Sequence, residues 1–242
     1  MNWRILLADA EVWVRLGIKE VLRALDNATI CGESSDGRDA IRQAYKLRPD
    51  IVIADPWLPG ANGVVFTRRV LEQNPAQKIL MFGLFDSKRT TRQLLEAGIK
   101  GFVLKTDPAV DLLDAVKALQ QDQLYFTSSI QTAIVNGYLT EDTTATEGAS
   151  NGNSLTLREQ EVLQLLIEGK PSKEIGDTLG ISFRTAATHR ANLMRKLSLH
   201  NMPQVILYAI SHQHIWVPRF RTRAEVLQIR KPELERIARA AA

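Results

Sequence analysis

The sequence predicts two domains of different class: an α/β domain on a five-stranded parallel sheet, followed by a smaller all-α domain. Three observations carry that expectation. Short apolar runs alternate with amphipathic stretches as far as residue 126, Thr140–Ser154 holds only small and polar residues, and helix-capping signals at 3.6-residue periodicity fill 155–215. Strict alternation of strand and helix implies parallel strands with helices on both faces. The segment TEDTTATEGASNGNS cannot bury a core, which places a linker at 139–154.

In the first domain, 1–126, the apolar runs place strands at 4–8, 29–33, 51–54, 79–82 and 101–104. Helices fit between them near 12–25, 37–47, 63–73, 87–97 and 108–121, and a terminal helix at 127–138 closes the unit. In the second domain, Thr156-Leu-Arg-Glu159 reads as a capping box. The Thr hydroxyl accepts the amide three residues on, and the Glu reaches back to the first one. Val162, Leu163, Leu165 and Leu166 follow at helical spacing, and Gly169 ends the helix. Ser172 is the expected N-cap of the next helix, with Ile175 and Leu179 inward and Gly180 closing it. Ser182 then opens a third helix, whose inward stripe is Ala186, Leu193 and Leu197. A tight turn at Gly180-Ile181-Ser182 between two helices is the helix-turn-helix arrangement, which presents the second helix to a DNA major groove.

At 242 residues, with 45% hydrophobic and 24% charged content, the chain suits two globular cores. Its one cysteine, Cys31, excludes an internal disulfide and reads as a small buried residue of the second strand. No run approaches a membrane span, and Ile5-Leu-Leu-Ala8 stops at Asp9, too soon for a signal-peptide core. A cytoplasmic protein without a membrane partner is expected. The net charge of +4 is unevenly spread: 17 Lys and Arg against 16 Asp and Glu in 1–138, none against 3 in 139–154, 7 against 5 in 155–215, and 7 against 3 in 216–242. Phosphate-backbone binding favours such a C-terminal bias, although its size alone does not establish it.

Asp9, Asp55, Gly83 and Lys105 fall at the carboxyl ends of the first, third, fourth and fifth predicted strands. In a flavodoxin-like strand order of 2-1-3-4-5 those ends converge where such sheets bind ligands. An acidic pair facing a lysine suits phosphoryl transfer. The carboxylates hold Mg²⁺, one can act as nucleophile, and the lysine neutralises phosphoryl oxygens.

The segments Ile5-Leu-Leu-Ala-Asp9, Asp36-Gly37, Arg48-Pro-Asp50, Asp55-x-x-x-Pro-Gly60, Ala97-Gly98 and Gly101-Phe-Val-Leu-Lys105 resemble the CheY-like receiver domain of two-component response regulators. Leu155-Thr-x-Arg-Glu159, Glu168-Gly169, Ser172-Lys-Glu-Ile175, Leu179-Gly-Ile-Ser182 and Thr185-x-x-x-His189 resemble the LuxR/NarL/FixJ-type DNA-binding domain. Together the two resemblances cover nearly nine-tenths of the chain. They imply a four-helix second domain whose last helix, roughly Pro203 to His212, makes a dimer contact. They also imply Asp55 as phosphate acceptor, Lys105 as phosphate-binding lysine, Gly83 and Phe102 as switch positions, and Asp9, Asp55 and Trp57 as metal-site residues. Double-stranded DNA, a histidine kinase and a second copy of the chain are the implied partners.

Two departures from the receiver pattern stand out. The family has two adjacent acids after the first strand, whereas Asp9 is followed here by Ala10, which weakens any Mg²⁺ site; Glu11 is displaced by one residue. At Gly83 the family has a Thr or Ser whose hydroxyl binds the phosphoryl group. Control by Asp55 phosphorylation and control independent of it therefore both stand, the second slightly favoured. Pro56 lacks an amide hydrogen beside Asp55, and Trp57 either contacts a partner or folds over the pocket. Two rival functions remain: a phosphotransfer or phosphatase-like enzyme using Asp9, Asp55 and Lys105, and an interaction module without DNA binding.

With Ala186, Leu193 and Leu197 inward, the third helix turns Arg184, Ala187, Thr188, Ala191, Asn192 and Arg195 outward. Arg184 and Arg195 suit phosphates, while Thr188 and Asn192 suit base edges. Ala187 and Ala191 offer methyl contacts only. Lys173 and Lys196 are further phosphate candidates, and His189 on the flank suits a backbone or phosphate hydrogen bond. Residues 216–242 form a basic extension in which Pro232 suits the first turn of a helix.

Overall fold

The computed structural model describes residues 2–84, 88–141 and 155–211. The first unit contains β1 (Trp3–Ala8), α1 (Val12–Leu22), β2 (Ala28–Ser34), α2 (Gly37–Leu47), β3 (Ile51–Ala54), α3 (Gly63–Gln73), β4 (Lys78–Gly83), α4 (Lys88–Ala97), β5 (Gly101–Leu104), α5 (Ala109–Gln120), β6 (Tyr125–Phe126) and α6 (Ser128–Glu141). All strands pair in parallel, in the order β2-β1-β3-β4-β5-β6. The expected 2-1-3-4-5 order is present, but the sheet has six strands rather than five. The sixth is only two residues long, Tyr125 and Phe126 pairing with Gly101 and Phe102. The Tyr125 hydroxyl ties it to α5 by donating to Asp111 at 2.8 Å. Two residues carry no readable period, which is why sequence patterning passed over this strand.

The sheet is buried on both faces, and the strand residues divide between two cores by strict alternation. Leu6, Ala8, Val52, Ala54, Ile79, Met81, Phe102 and Leu104 join one core with α2, α3, α4 and α6 residues. Ile5, Leu7, Ile51, Ile53, Leu80 and Val103 join the other with α1 and α5 residues. A one-residue slip in any central strand would exchange these sets, so packing fixes the register. Such a sheet leaves polar chemistry only one place, the strand ends. Cys31 is half-buried on β2 and packs against the first core; burial pushes its thiol upward. The α6 helix extends past the expected limit of 138.

The second unit comprises α7 (Leu157–Ile167), α8 (Ser172–Leu179), α9 (Phe183–Lys196) and α10 (Met202–Ser211) around Val162, Leu163, Leu165, Leu166, Ile175, Ala186, Leu193 and Val205. The capping box forms: Thr156 Oγ1 accepts from Glu159 N, and Thr156 N donates to Glu159 Oε2 at 2.8 Å. Ser182 caps α9 by accepting from Thr185 N. At α8 the expected cap differs, because Pro171 occupies the N-cap and Ser172 is the first helical residue, buried, with no side-chain cap. Gly180 turns the chain out of α8 at φ +64°, a left-handed conformation that suits glycine.

Glu159 also receives Lys196 Nζ at 2.7 Å from the end of α9, which joins the first and third helices of the unit. Lys196 was expected at phosphate; it is instead committed to this internal ion pair. Burial alone would raise the Glu159 carboxyl, but Lys196 and Thr156 outweigh it and hold the carboxyl below its ordinary value. Its stabilising effect is therefore complete above the unfolded value of 4.5 and is lost as pH falls through the lower folded value. Glu159→Gln should cost roughly 1–2 kcal/mol at neutral pH and flatten the acid limb of the stability profile. Urea unfolding followed from about pH 3 to about pH 7, across the carboxylate range, checks both.

Candidate functional site

The carboxyl ends of β1, β3 and β5 deliver Asp9, Asp55 and Lys105 to one cleft of about 220 Å³, bordered also by Ala10, Glu11, Trp57 and Leu84. Parallel pairing puts these ends side by side, since Ala8 pairs with Ala54 in β3 and Gly83 with Leu104. Lys105 Nζ lies 2.8 Å from Asp9 Oδ2 and 2.5 Å from Asp55 Oδ2. The other carboxylate oxygens take backbone amides: Glu11 N donates to Asp9 Oδ1 at 2.8 Å and Trp57 N to Asp55 Oδ1 at 2.5 Å. Three of the four oxygens thus accept hydrogen bonds from the protein, while Asp9 Oδ2 is buried and meets Lys105 as an ion pair without a hydrogen bond.

Burial dominates at Asp55 and pushes its carboxyl upward against the opposing pull of Lys105. Burial would lower the Lys105 ammonium, yet Asp55 and Asp9 together hold it above its ordinary value. The pair is thus a desolvated charge cluster in which one cation serves two anions. This donor set is poor for a resident Mg²⁺. The position after Asp9 is Ala10, three of the four carboxylate oxygens already accept hydrogen bonds, and among the described residues no group of three or more His, Cys, Asp or Glu converges as a metal site; Asp9 Oδ2 is buried without a hydrogen-bond partner. Glu11 borders the cleft, while its backbone amide serves Asp9. Trp57 is half-buried and lines the same cleft.

Gly83 is explained by Pro56. A Cβ built on Gly83 would overlap Cδ and Cγ of the Pro56 ring, and Gly63 meets Pro56 from the other side, donating N–H to Pro56 O at 2.8 Å. The buried proline ring therefore fills the volume in which a switch hydroxyl would stand. Sequence reasoning treated Pro56 and Gly83 separately, since residues 27 positions apart show no pairing without a sheet. Phe102, the other switch position, is 2% exposed in the core.

On the DNA-binding unit, Arg184, Thr188, Ala191 and Arg195 form one exposed face of α9, with Ala187 and Asn192 half-exposed beside them. Arg195 donates to Asn192 Oδ1 at 3.1 Å, and Thr188 Oγ1 donates to Arg184 O at 2.9 Å, leaving its lone pairs outward. Lys173 is exposed on α8, and His189 is half-buried on the flank. Phe183, missed in the sequence reading, is 62% exposed at the start of α9 beside Arg184. The sign that could have found it is a large aromatic outside the inward stripe. The basic extension 216–242 lies outside the described residues.

Residues 5–117 match the model of the response regulator receiver domain, and residues 153–209 match that of bacterial regulatory proteins of the luxR family. The oxygen regulatory protein NreC of Staphylococcus epidermidis is 30% identical over 210 residues, covering 86% of this chain and 96% of that protein. The transcriptional regulatory protein LiaR of Bacillus subtilis is 32% identical over 206 residues, covering 85% and 96%. Among solved structures, the RcsB response regulator of Salmonella typhimurium shares the fold at a TM-score of 0.60 and 24% identity, over 87% of this chain and 98% of that one.

The Pro56–Gly83 contact yields a stability prediction. Gly83→Thr should lose roughly 1–3 kcal/mol by overpacking. Adding Pro56→Ala should recover much of that loss by vacating the ring volume. Urea midpoints of the two variants measure it.

Proposed function

The chain belongs to the LuxR-family response regulators, DNA-binding transcription regulators with a receiver domain, and we propose that its receiver acts without phosphoryl transfer. The observation that carries this reading is the Pro56 ring standing where the switch side chain would be. The engagement of both Asp55 oxygens, by Lys105 and by the Trp57 amide, supports it, as does the absence of an acid after Asp9. Control then comes from self-association, a protein partner or a ligand rather than from a histidine kinase. The relatives are regulators, which disfavours the phosphatase-like alternative for this pocket.

On DNA, Arg184, Arg195 and Lys173 hold phosphates and fix the register of α9 in the major groove. Thr188 and Asn192 address base edges, Ala187 and Ala191 offer methyl groups to thymine, and His189 binds the backbone at the flank. Two copies of the chain read a two-fold site with half-sites about one helical turn apart.

Intact mass after incubation with acetyl phosphate and Mg²⁺ tests the receiver. No added phosphoryl group is expected on wild type or on Asp55→Asn, and a gain on wild type alone would overturn the proposal. Gel shifts on pooled genomic fragments test the DNA reading. Arg184→Ala and Arg195→Ala should each weaken binding and each lower the salt slope by about 0.9, whereas Lys196→Ala should lower domain stability and leave that slope unchanged.

A further inference from the structure

A second cleft, of about 290 Å³, opens between α2 and α3 and shares no lining residue with the charge-cluster cleft. Ile41, Ala44 and Val70 supply its apolar lining, and Tyr45, 65% exposed, stands uncovered at its rim. Arg48, just past α2, and Arg69, on α3, bring two guanidinium groups to it.

Arg48 adopts φ +46°, a left-handed conformation that is costly for a residue with a side chain. Its surroundings impose it: Arg48 N donates to Ala44 O at 3.0 Å, Arg4 donates to Leu47 O at 2.6 Å, and Gln77 Nε2 donates to Pro49 O at 3.0 Å. Backbone strain held in this way concentrates at ligand clamps and functional sites. The acids of the two helices, Asp39 and Glu72, pair with Arg42 and Arg69, so the Arg48 guanidinium has no acidic partner among the described residues. Arg69 is shared between units. Its Nε donates to Glu161 Oε1 of α7 at 2.7 Å and its Nη1 to Glu72 Oε2 at 3.0 Å, which leaves Nη2 without an acceptor among the described residues.

We propose that this cleft binds a small aromatic carboxylate. Arg48 takes the carboxylate with its forked donors, Arg69 Nη2 adds a further cationic donor, and Tyr45 stacks on the ring over the apolar lining. The cleft lies at the lower end of the roughly 300–1,000 Å³ typical of small-molecule sites, which suits a single ring. Glu161 already lies against Arg69, so a ligand carboxylate at the same guanidinium repels it. Ligand and α7 therefore oppose one another, each weakening the hold of the other by the same factor. The site rests on the phosphorylation-independent reading above for its regulatory meaning, and gives that reading an input.

Isothermal titration of the full chain with benzoate, 4-hydroxybenzoate and phenylacetate tests the site, with acetate and inorganic phosphate as ringless controls. At least one aromatic acid should bind saturably, and the controls should not. Arg48→Ala should weaken that binding about tenfold or more, and Tyr45→Ala about threefold. Both side chains are exposed, so neither change endangers folding. Arg48→Lys should restore only part of the loss, because an ammonium lacks the fork. Glu161→Gln should tighten binding roughly fivefold by removing the opposing charge, a response that adventitious binding at an exposed arginine would not give. No saturable binding by any of the aromatic acids, equal binding of acetate or phosphate, or binding untouched by either alanine variant would each overturn the site. Unchanged affinity in Glu161→Gln would overturn the opposition between ligand and α7. Phosphoryl transfer from acetyl phosphate to Asp55 would instead overturn the phosphorylation-independent reading and leave the site standing.

Discussion

One buried ammonium serving two carboxylates is the constraint on which the carboxyl end of the sheet depends. Taking an ion out of water costs several kcal/mol unless it is paired and hydrogen-bonded. Lys105, Asp9 and Asp55 meet that cost together, with the Glu11 and Trp57 amides completing the set. Remove the ammonium and two carboxylates are left facing each other without a cation. The cluster sits where it does because the central strands are buried on both faces, so that charged residues can be accommodated only where the strands end.

The residues Pro56 and Gly83 belong to one packing solution. Loss of a side chain at Gly83 alone would leave a void beside the charge cluster, and voids are destabilising in proportion to their size. The Pro56 ring fills it, and Gly63 lets the backbone close around the ring. Such a pocket is rebuilt, with its own close packing, and the loop it begins, Pro56 to Gly60, ends at the amide that receives Glu168 of the second unit. The same loop thus borders the charge cluster and the contact between the two units.

In the DNA-binding unit the division of charge is as informative as its amount. Lys196 and Glu159 neutralise one another between α9 and α7, whereas Arg184 and Arg195 have no acidic partner among the described residues and stand on the open face of α9. Counting basic residues would weigh all of these alike. The contribution of a cation to phosphate binding depends on whether it is already spent, which only contacts reveal.

The sequence already carried the two-domain architecture, five of the six strands, the helices other than α10, the capping box and the inward stripe of α9. Each of these is written in local chemistry: alternation of apolar residues, caps, breakers and turn glycines, all read within a few residues of one another. It also singled out Asp9, Asp55 and Lys105, because strand ends are predictable once strands are. The tertiary structure alone decided what those residues touch. That Pro56 fills the space at Gly83, that Lys196 is held by Glu159, and that Arg69 reaches Glu161 all depend on distances between segments remote in the chain. Period and propensity carry no information about such distances; they arise only when the sheet and the helices have packed.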